Sequence, residues 1–473
     1  MARSPLRLAS LALLAAAAGA GLWFAMGRRA NSPRFPGAHA ILLSIDTLRR
    51  DALTSYGAPP SATPALARLA ADGVVVEQAI AASNYTAPSH ATMLTGASPR
   101  VHGVLNTHKS SPRPIPPELP TLADRLRAAG YATYGDSDRG YVSKAFGFDR
   151  GFDTWREEQT GLRPKIDGAI RFLESLPPGK PGFVFLHTYE THAPYLPTEE
   201  ELDRLSARFR DAHIAPRVLR RILRNEEADA ENHGDLFEDA FHFRPEDIAF
   251  LRAVYASKVR EADAAVGALH AQLSERGLLD KTVWVVTSDH GEEFKEHGSW
   301  QHQTVFDPVA RVPLLVRLPG ALHAGSRRDV VFPAISLAPT LLDLLGIAPP
   351  ENLEGYSLAS DLAGSRGAPT DAAHCVNYHS EAWVGTAVRS PRSKVIAPAP
   401  GTSGAPEAYD LAADPEEKDP QKIGSEDSKR LMVELARTLT LWEALRGRFN
   451  PPANTAPLDE QALEQLRGLG YGK

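Results

Sequence analysis

The feature that most limits how this chain can fold is the repeated alternation of apolar runs with amphipathic helical segments. The run HAILLSID at His39–Asp46 is continuous and of strand length. The segment TPALARLAADG at Thr63–Gly73 begins with Thr and Pro and ends with Gly, which is typical of a helix. The alternation continues through LPTLADRLRAAG, YATYG, GFVFLHTYE, the helical region Pro245–Gly277, TVWVVTSDHG, RVPLLVRLPG and FPAISLAPTLLDLLG. The sequence therefore predicts an α/β fold with a large, mainly parallel sheet between helices.

The pattern changes in the last quarter of the chain. From about Ala368 onward, short segments such as HCVNYHSEAWVGTAV and SKVIAP are separated by Pro and Gly, which favours antiparallel strands. A Leu-rich helical segment, Ser425–Arg446, follows them. We therefore predict a main domain over residues 38–365 and a smaller antiparallel subdomain with a helical tail over residues 366–473.

The amino terminus indicates export. Arg3 and Arg7 precede an uncharged apolar stretch, Leu8–Met26, and two further arginines follow it. This arrangement is typical of a signal peptide, and the stretch is also just long enough to span a bilayer. We predict that residues 1–30 are either a cleaved signal peptide or a retained membrane anchor. Both alternatives place the protein on the periplasmic or extracellular side, and the second adds membrane association.

Charge and cysteine content exclude two classes of function. The 473 residues carry a net charge of -6, so the chain offers no basic surface of the kind that nucleic acid requires. A single cysteine, Cys375, excludes an internal disulfide and a thiolate metal cluster. We interpret Cys375 as a small buried hydrophobe.

Acidic and imidazole side chains end two of the predicted strands. Asp46 closes the first strand, and Asp289 with His290 closes TVWVVTSDHG. In a parallel sheet both strand ends reach the same rim, where ligands bind. Carboxylate oxygens and an imidazole nitrogen suit one divalent cation such as Mg, Mn, Ca or Zn, and the cation makes the burial of two aspartates tolerable. The alternative is that each Asp caps the turn or helix that follows it.

A hydroxyl group lies directly before a Pro-Ser helix start in the segment NYTAPSHATMLTG. Near a cation and a helix amino terminus, the alkoxide of Thr86 would be stabilised by both positive fields, so Thr86 is a candidate nucleophile and metal ligand. Backbone N–H groups from about Ser89 onward would hold the oxygens of phosphate or sulfate. The alternative is that Thr86 or Ser89 is simply a helix cap.

Six segments in order give the chain a resemblance to a known family. These segments are ILLSIDTLRRDALTSYG, YTAPSHATMLTG, THAPY, SDHGEEFKEHGSWQHQTVFDPVARVPLLVRLPG, PTLLDLLGIAPPENLEGYSL and AYDLAADPEEKDP. Together, from about Ala40 to Pro420, they resemble the sulfatase family of the alkaline phosphatase superfamily. The resemblance implies an alkaline phosphatase-like α/β sandwich, a smaller C-terminal antiparallel subdomain and one divalent metal at the strand ends.

The resemblance also assigns roles to individual positions. It implies metal ligation by Asp46, Asp289 and His290, with Thr86 in the position of the family's nucleophile. It implies that His192, in THAPY, contacts the anionic oxygens of the ester. His297 and Arg311 also fall on motif positions; we expect a supporting role for His297 and a structural role for Arg311.

The departures from the family pattern occur at the positions that carry the family's catalytic residues. Sulfatases carry a Cys or Ser that is oxidised to formylglycine, followed by Pro-x-Arg; here Thr86 and His90 occupy the Cys and Arg positions. The family's second consecutive Asp is Thr47, and its Lys between EHG and RVP is His302. The chain therefore resembles members that lack the formylglycine cysteine.

These departures shape the functional hypothesis. A Thr ester has no second hydroxyl with which to expel sulfate, so water or another acceptor must cleave it, as in metal-assisted phosphoryl transfer. His302 or His192 could protonate the leaving oxygen; with Thr86 and His90, these are the catalytic candidates. We predict a metal-dependent hydrolase of sulfate or phosphate esters on small molecules, glycans or lipids. The alternatives are a phospho-group transferase acting on an exported lipid or glycan, and an inactive anion-binding pseudoenzyme.

Overall fold

The computed structural model describes residues 33–107, 112–223, 243–350, 354–365, 371–379, 381–445 and 447–449, together with positions 458, 460, 463 and 466. The predicted signal or anchor, residues 1–30, lies outside the described residues. Among the residues that are described, none of the helices is long and apolar enough to cross a membrane.

One sheet of eight strands forms the centre of the fold. Its strands are β1 (His39–Ile45), β2 (Val74–Ile80), β3 (Ala132–Ser137), β4 (Thr154–Glu157), β5 (Gly182–Thr188), β6 (Thr282–Thr287), β9 (Leu314–Arg317) and β10 (Ser326–Pro333), and β7 (Glu293–Phe294) and β8 (Trp300–Gln301) form a separate short hairpin. The order across the large sheet is β10-β2-β9-β6-β1-β5-β3-β4. Its pairs are parallel except those of β9, which runs antiparallel to β2 and β6. The prediction of a large, mainly parallel sheet is confirmed.

Helices cover both faces of this sheet. They are α1 (Pro64–Ala71), α2 (Thr86–Thr95), α3 (Pro99–His102), α4 (Leu122–Ala128), α5 (Leu162–Glu174), α6 (Glu199–Arg208), α7 (Ile214–Leu223), α8 (Pro245–Glu275), α9 (Asp307–Ala310), α10 (Leu337–Leu344) and α11 (Ala359–Leu362). Single 3-10 turns occur at Arg50–Ala52, Thr54–Tyr56, Lys144–Phe146, Leu279–Lys281, Pro319–Ala321 and Ala334–Ser336.

Strand β1 shows how the two helical layers arise from the sequence. Successive side chains of a strand point to opposite faces. Leu42 accordingly packs in one core, with α2, α4 and α10, whereas Ile41 and Leu43 pack in the other, with α1, α5 and α8. Since both faces are buried, the strand is a continuous apolar run rather than an alternating one.

A second, antiparallel sheet follows in the chain. It comprises β11 (Ala373–His379), β12 (Ala382–Arg389), β13 (Ser393–Pro398) and β14 (Glu407–Asp410) in sequential order. Helix α12 (Glu426–Leu445) packs on it through Leu431 and Leu435. The predicted small antiparallel part is confirmed, whereas the exact boundary at residue 366 stays a prediction.

Candidate metal centre and nucleophile

The candidate site begins where β1 and β6 end side by side. The two strands are parallel neighbours, with Ser44 opposite Thr287. Asp46 follows the last residue of β1, and Asp289 follows β6 by two residues. Both carboxylates are completely buried. The predicted meeting of strand ends at one rim therefore brings these aspartates together.

The turn after β1 is held in a strained conformation. Thr47 has φ 57°, a left-handed value that is costly for a β-branched residue. Two bonds hold it there: its hydroxyl donates to Thr191 O at 2.8 Å, and its carbonyl accepts from the Tyr255 hydroxyl at 3.0 Å. In this conformation the Thr47 N–H points at Asp289 Oδ1, 3.3 Å away. The strain thus fixes one oxygen of Asp289.

His290 is oriented by the backbone that follows it. Its Nδ1 lies 3.0 Å from the carbonyl oxygen of Gly291. A carbonyl can only accept, so Nδ1 carries a proton, and when His290 binds a metal ion the lone pair of Nε2 is the one available. Gly291 is required here because a Cβ at this position would lie 2.0 Å from Pro308 O. The lone pair of His290 is therefore aimed at the carboxylates, with Nε2 3.3 Å from Asp289 Oδ2.

Thr86 is the first residue of α2 and is completely buried. Its hydroxyl lies 3.5 Å from His290 Nε2 and faces the Asp46 carboxylate. The helix cap is Tyr85, and no side chain caps the helix. Ser89 instead bonds back to Ser83, accepting from its N–H at 3.1 Å and donating to its carbonyl at 2.9 Å. The capping alternative for Thr86 and Ser89 is therefore wrong.

The predicted cradle of backbone N–H groups from Ser89 onward is also wrong. Ser89 N–H donates to Tyr85 O at 3.1 Å. Ala87 N–H donates to Asn106 Oδ1 at 2.8 Å, and Pro88 has no N–H. The N–H groups of Ala87 and Ser89 are therefore already bonded, which leaves side chains and a cation as the main groups that could hold an anion at this site.

The donor atoms have the separations of metal ligands. Four atoms about 2.1 Å from a common tetrahedral centre lie about 3.4 Å apart. The observed separation from Thr86 Oγ1 to His290 Nε2 is 3.5 Å, and that from His290 Nε2 to Asp289 Oδ2 is 3.3 Å. Donor atoms of Asp46, Asp289 and His290 all lie within 4.8 Å of one another. These distances are long for hydrogen bonds and suit donors around one ion.

The electrostatics of the carboxylates point the same way. Burial, and then the charge of Asp289, raise the pKa of Asp46 well above its usual range. Burial also acts to raise the pKa of Asp289, but His290 and His90 outweigh it and the net pKa is lowered. Asp46 Oδ1 and Asp289 Oδ2 are buried and receive no hydrogen bond of ordinary geometry from the described residues. Such oxygens are expected where a divalent cation binds.

Two further histidines lie beneath Asp46. His187, in β5, is opposite Ser44 of β1, and its Nε2 is 3.4 Å from Asp46 Oδ2. With His90 these residues form a second group of possible ligands, again within 4.8 Å of one another. Both nitrogens of His90 are already engaged, Nδ1 with Thr86 O and Nε2 with Ser44 Oγ, each at 2.9 Å. We therefore interpret this second group as support for Asp46 and Thr86.

His192 and His302 border the same space from another side. The ring centroids of His302 and His290 are 4.5 Å apart, and those of His302 and His192 are 5.6 Å apart. Burial lowers the pKa of His192 to about 4 and that of His302 well below its usual range. In the ligand-free protein both rings are therefore neutral near pH 7.

The remaining candidates lie farther out. His297 bonds to Glu293 and to Glu416 O, and Arg311 donates to Glu77 O, so both contact structural partners. Cys375 is free and buried in β11, as expected. Sequence reasoning missed His187, although a polar residue near the end of an apolar strand, beside the strand that carries Asp46, was an available signal.

Two family models and several known proteins are similar to this chain. The family model described as Sulfatase matches residues 38–347, well over half of the chain, and the model described as N-sulphoglucosamine sulphohydrolase, C-terminal, matches residues 295–444. Arylsulfatase K of Xenopus laevis is 30% identical over 203 residues, which cover 40% of this chain and 38% of that protein. The chain thus spans about two fifths of the length of such relatives.

Longer alignments exist at lower identity. N-acetylglucosamine-6-O-sulfatase of Bacteroides thetaiotaomicron is 24% identical over 412 residues, covering 72% of this chain and 73% of that protein. The crystal structure of a phosphonate monoester hydrolase from Agrobacterium radiobacter superposes with a TM-score of 0.66 at 22% identity, covering 86% of this chain and 96% of that one. At this level of identity the structural likeness establishes the fold.

Proposed function

Because the chain belongs to the sulfatase family, we propose that it is a metal-dependent hydrolase of phosphate or sulfate esters with Thr86 as its nucleophile. One observation carries the proposal: the Thr86 hydroxyl lies among the candidate ligand atoms, 3.5 Å from His290 Nε2 and facing Asp46. Asp46, Asp289, His290 and Thr86 would hold the ion. The bound ion would neutralise the aspartates and lower the pKa of the Thr86 hydroxyl.

The reaction then requires two displacements. In the first, Thr86 Oγ bonds to the phosphorus or sulfur atom as the bond to the ester oxygen breaks. The proton released by Thr86 balances the proton that the departing alcohol needs. A neutral imidazole can carry it from one oxygen to the other, and His302 or His192 is suited to this because both are neutral before substrate binds.

The second displacement favours phosphorus over sulfur. The threonyl ester lacks the second hydroxyl through which formylglycine hydrate eliminates sulfate, so water must attack the central atom. One proton of that water returns to Thr86 Oγ and the other leaves to solvent. We therefore expect aryl phosphates, phosphonates or phosphodiesters to turn over faster than aryl sulfates. The ester would be carried by a small molecule, a glycan or a lipid.

The test is turnover by purified protein that has been stripped of metal and refilled separately with Mn, Ca, Mg or Zn. Nitrophenyl phosphate, phosphonate, phosphodiester and sulfate serve as substrates. Thr86→Ala should lower kcat by about 10³-fold or more, whereas Thr86→Ser, which restores a hydroxyl, should stay within about tenfold of wild type. Thr95→Ala is the matched control, since Thr95 is also buried in α2 but donates to Ala91 O.

Three outcomes would contradict the proposal. Turnover that survives Thr86→Ala removes the nucleophile. The absence of turnover with every metal and ester, despite tight metal binding, favours an anion-binding pseudoenzyme. Phosphate release only after an alcohol is added identifies a transferase. Quenched reactions analysed by mass spectrometry should locate the phosphoryl group on the peptide that contains Thr86.

We also propose that this activity is exported. The arginines and the apolar stretch within residues 1–30 support this. Fusion of these residues to a reporter enzyme that works only outside the cytoplasm should give activity. The same fusion with Arg3 and Arg7 replaced by Glu should lose it.

A further inference from the structure

We propose that Asn84 is a positioning residue that ties the C-terminal sheet to both the nucleophile Thr86 and the segment carrying His302. The inference deepens the proposed function and rests on it for the catalytic part of its test. Asn84 is completely buried and lies two residues before Thr86.

The Asn84 side chain makes three hydrogen bonds across long sequence separations. Its Nδ2 donates to His302 O at 2.8 Å and to Tyr378 O at 2.9 Å. Its Oδ1 accepts from Tyr378 N–H at 2.8 Å. One amide thus joins three parts of the chain.

The backbone around Asn84 extends this link. Ser83 forms a parallel bridge with Val376 of β11, whose N–H donates to Ala82 O at 2.9 Å. Asn84 N–H in turn approaches Val376 O at 3.4 Å. Residues 82–84 therefore lie along the edge of β11 that β12 leaves open. The nucleophile begins its helix directly from an edge of the C-terminal sheet.

The chemistry of the side chain explains why asparagine suits this position. Only an amide supplies one acceptor and two donor hydrogens at this length, and all three contacts use them. Aspartate would keep the acceptor but lose both donors and turn a negative charge towards two carbonyl oxygens. Alanine would leave the buried carbonyls of His302 and Tyr378 without these bonds.

The consequence for catalysis is geometric. Thr86 and His302 come from distant parts of the chain, and their relative position is set through Asn84 and its neighbour Tyr85, whose ring centroid lies 5.5 Å from that of His302. A misplacement of about 1 Å between reacting groups can cost about 100-fold in rate. Loss of Asn84 should therefore slow the chemical step more than it weakens substrate binding.

The test compares Asn84→Ala and Asn84→Asp with Trp442→Phe. The control removes another hydrogen bond between the C-terminal part and the rest of the molecule, from Trp442 Nε1 to Glu354 at 3.0 Å, away from Thr86. Both Asn84 variants should lower kcat by about 100-fold with KM within about threefold, whereas Trp442→Phe should leave both constants within about threefold. In a His302→Ala background, Asn84→Ala should cost at most about threefold more, because the two act as a unit.

Hydrogen–deuterium exchange supplies a readout that needs no turnover. Asn84→Ala should speed exchange in segments 300–306 and 374–379 and leave β1 and β6 unchanged. An unchanged kcat, an equal loss in the His302→Ala background, or faster exchange spread over the whole molecule would each overturn the positioning role. If the wild-type protein cleaves none of the esters, the proposed function fails, and exchange alone then decides whether Asn84 joins these segments.

Discussion

Two clusters of largely buried carboxylates in this molecule have their charges balanced in opposite ways. At the start of β13, Lys394 lies 3.1 Å from Asp307 and 2.7 Å from Glu417, and Arg389 forms a further bond to Asp307 at 2.8 Å. Burial acts to raise the pKa of Asp307, but Arg389 and Lys394 overcome it and hold the pKa far below the usual range. Asp46, in contrast, has a raised pKa because of burial and the nearby Asp289.

The difference separates a structural cluster from a functional one. The first cluster contains its own cations and joins β12 and β13 to α9, so its charges stabilise the fold. At the strand ends, Lys and Arg are not among the partners of Asp46 or Asp289 within the described residues. Buried negative charge without a Lys or Arg partner predicts an ion supplied from outside.

The largest effect should come from Asp46→Asn. Loss of this carboxylate should abolish tight metal binding and lower kcat by about 10³-fold or more. The metal-free variant should nevertheless be at least as stable as metal-free wild type, because one buried charge that faces Asp289 is gone. Calorimetric metal titration and thermal melts of the chelated proteins measure both effects. A marked drop in the stability of the chelated variant would contradict the comparison.

Asp307→Asn should have the opposite pattern of effects, with lower stability and unchanged metal binding. Breaking a buried ion pair costs about 3 kcal/mol or more in free energy of unfolding, and here it leaves Arg389 without its carboxylate. Metal affinity should stay unchanged, since this cluster has no contact with Asp46. Urea unfolding and metal titration of the same preparation give the two values. Weakened metal binding in this variant would show that the clusters are coupled.

The pH dependence should sharpen the contrast. Because the pKa of Asp307 is depressed in the folded state, its contribution is present above the unfolded pKa of about 3.9 and is lost as pH falls towards the folded pKa. The difference in stability between wild type and Asp307→Asn should thus be constant from about pH 5 to 8 and shrink below about pH 4. Thermal melts across this range test the sign; a difference that grows towards acid pH would refute it.

The smallest of these effects is expected from His187→Ala. His187 contacts Asp46 from beneath, and loss of such a supporting histidine typically weakens metal binding by about 10- to 100-fold. The stoichiometry should remain one ion per chain, since both nitrogens of His90 are occupied. Elemental analysis of wild type and variant measures this. Two ions in wild type and one in the variant would instead make His187 a ligand of a second ion.

The local sequence pattern was sufficient to predict much of the fold and the meeting of Asp46 and Asp289 at one edge of the sheet. The apolar runs located β1, β5 and β6, and the geometry of parallel sheets was enough to predict that Asp46 and Asp289 lie together. His187 was missed because it lies within an otherwise apolar run. A single polar residue in such a run is easily interpreted as part of the buried core. The prediction of free N–H groups from Ser89 onward failed because the helix already begins at Thr86, so the Ser89 N–H donates to Tyr85 O.

Contacts across long separations lay beyond reach of sequence reasoning. Asn84 and Tyr378 are 294 positions apart. Local periodicity does not predict which distant segment will pair with the open edge of a sheet. The left-handed Thr47 was equally hidden, because a β-branched residue is an unfavourable choice for that conformation and its bonds to Thr191 and Tyr255 come from elsewhere in the chain.

The pairing of residues 82–84 with β11 has a consequence for the order of events during synthesis. A ribosome releases the polypeptide from its amino end at about 5–20 residues per second. The turn before Thr86 therefore emerges many seconds ahead of Tyr378, which completes its hydrogen bonds. A nascent chain that stops short of β11 has every candidate ligand and the threonine, yet lacks the edge that sets their spacing, so hydrolytic competence should arise only near the end of translation.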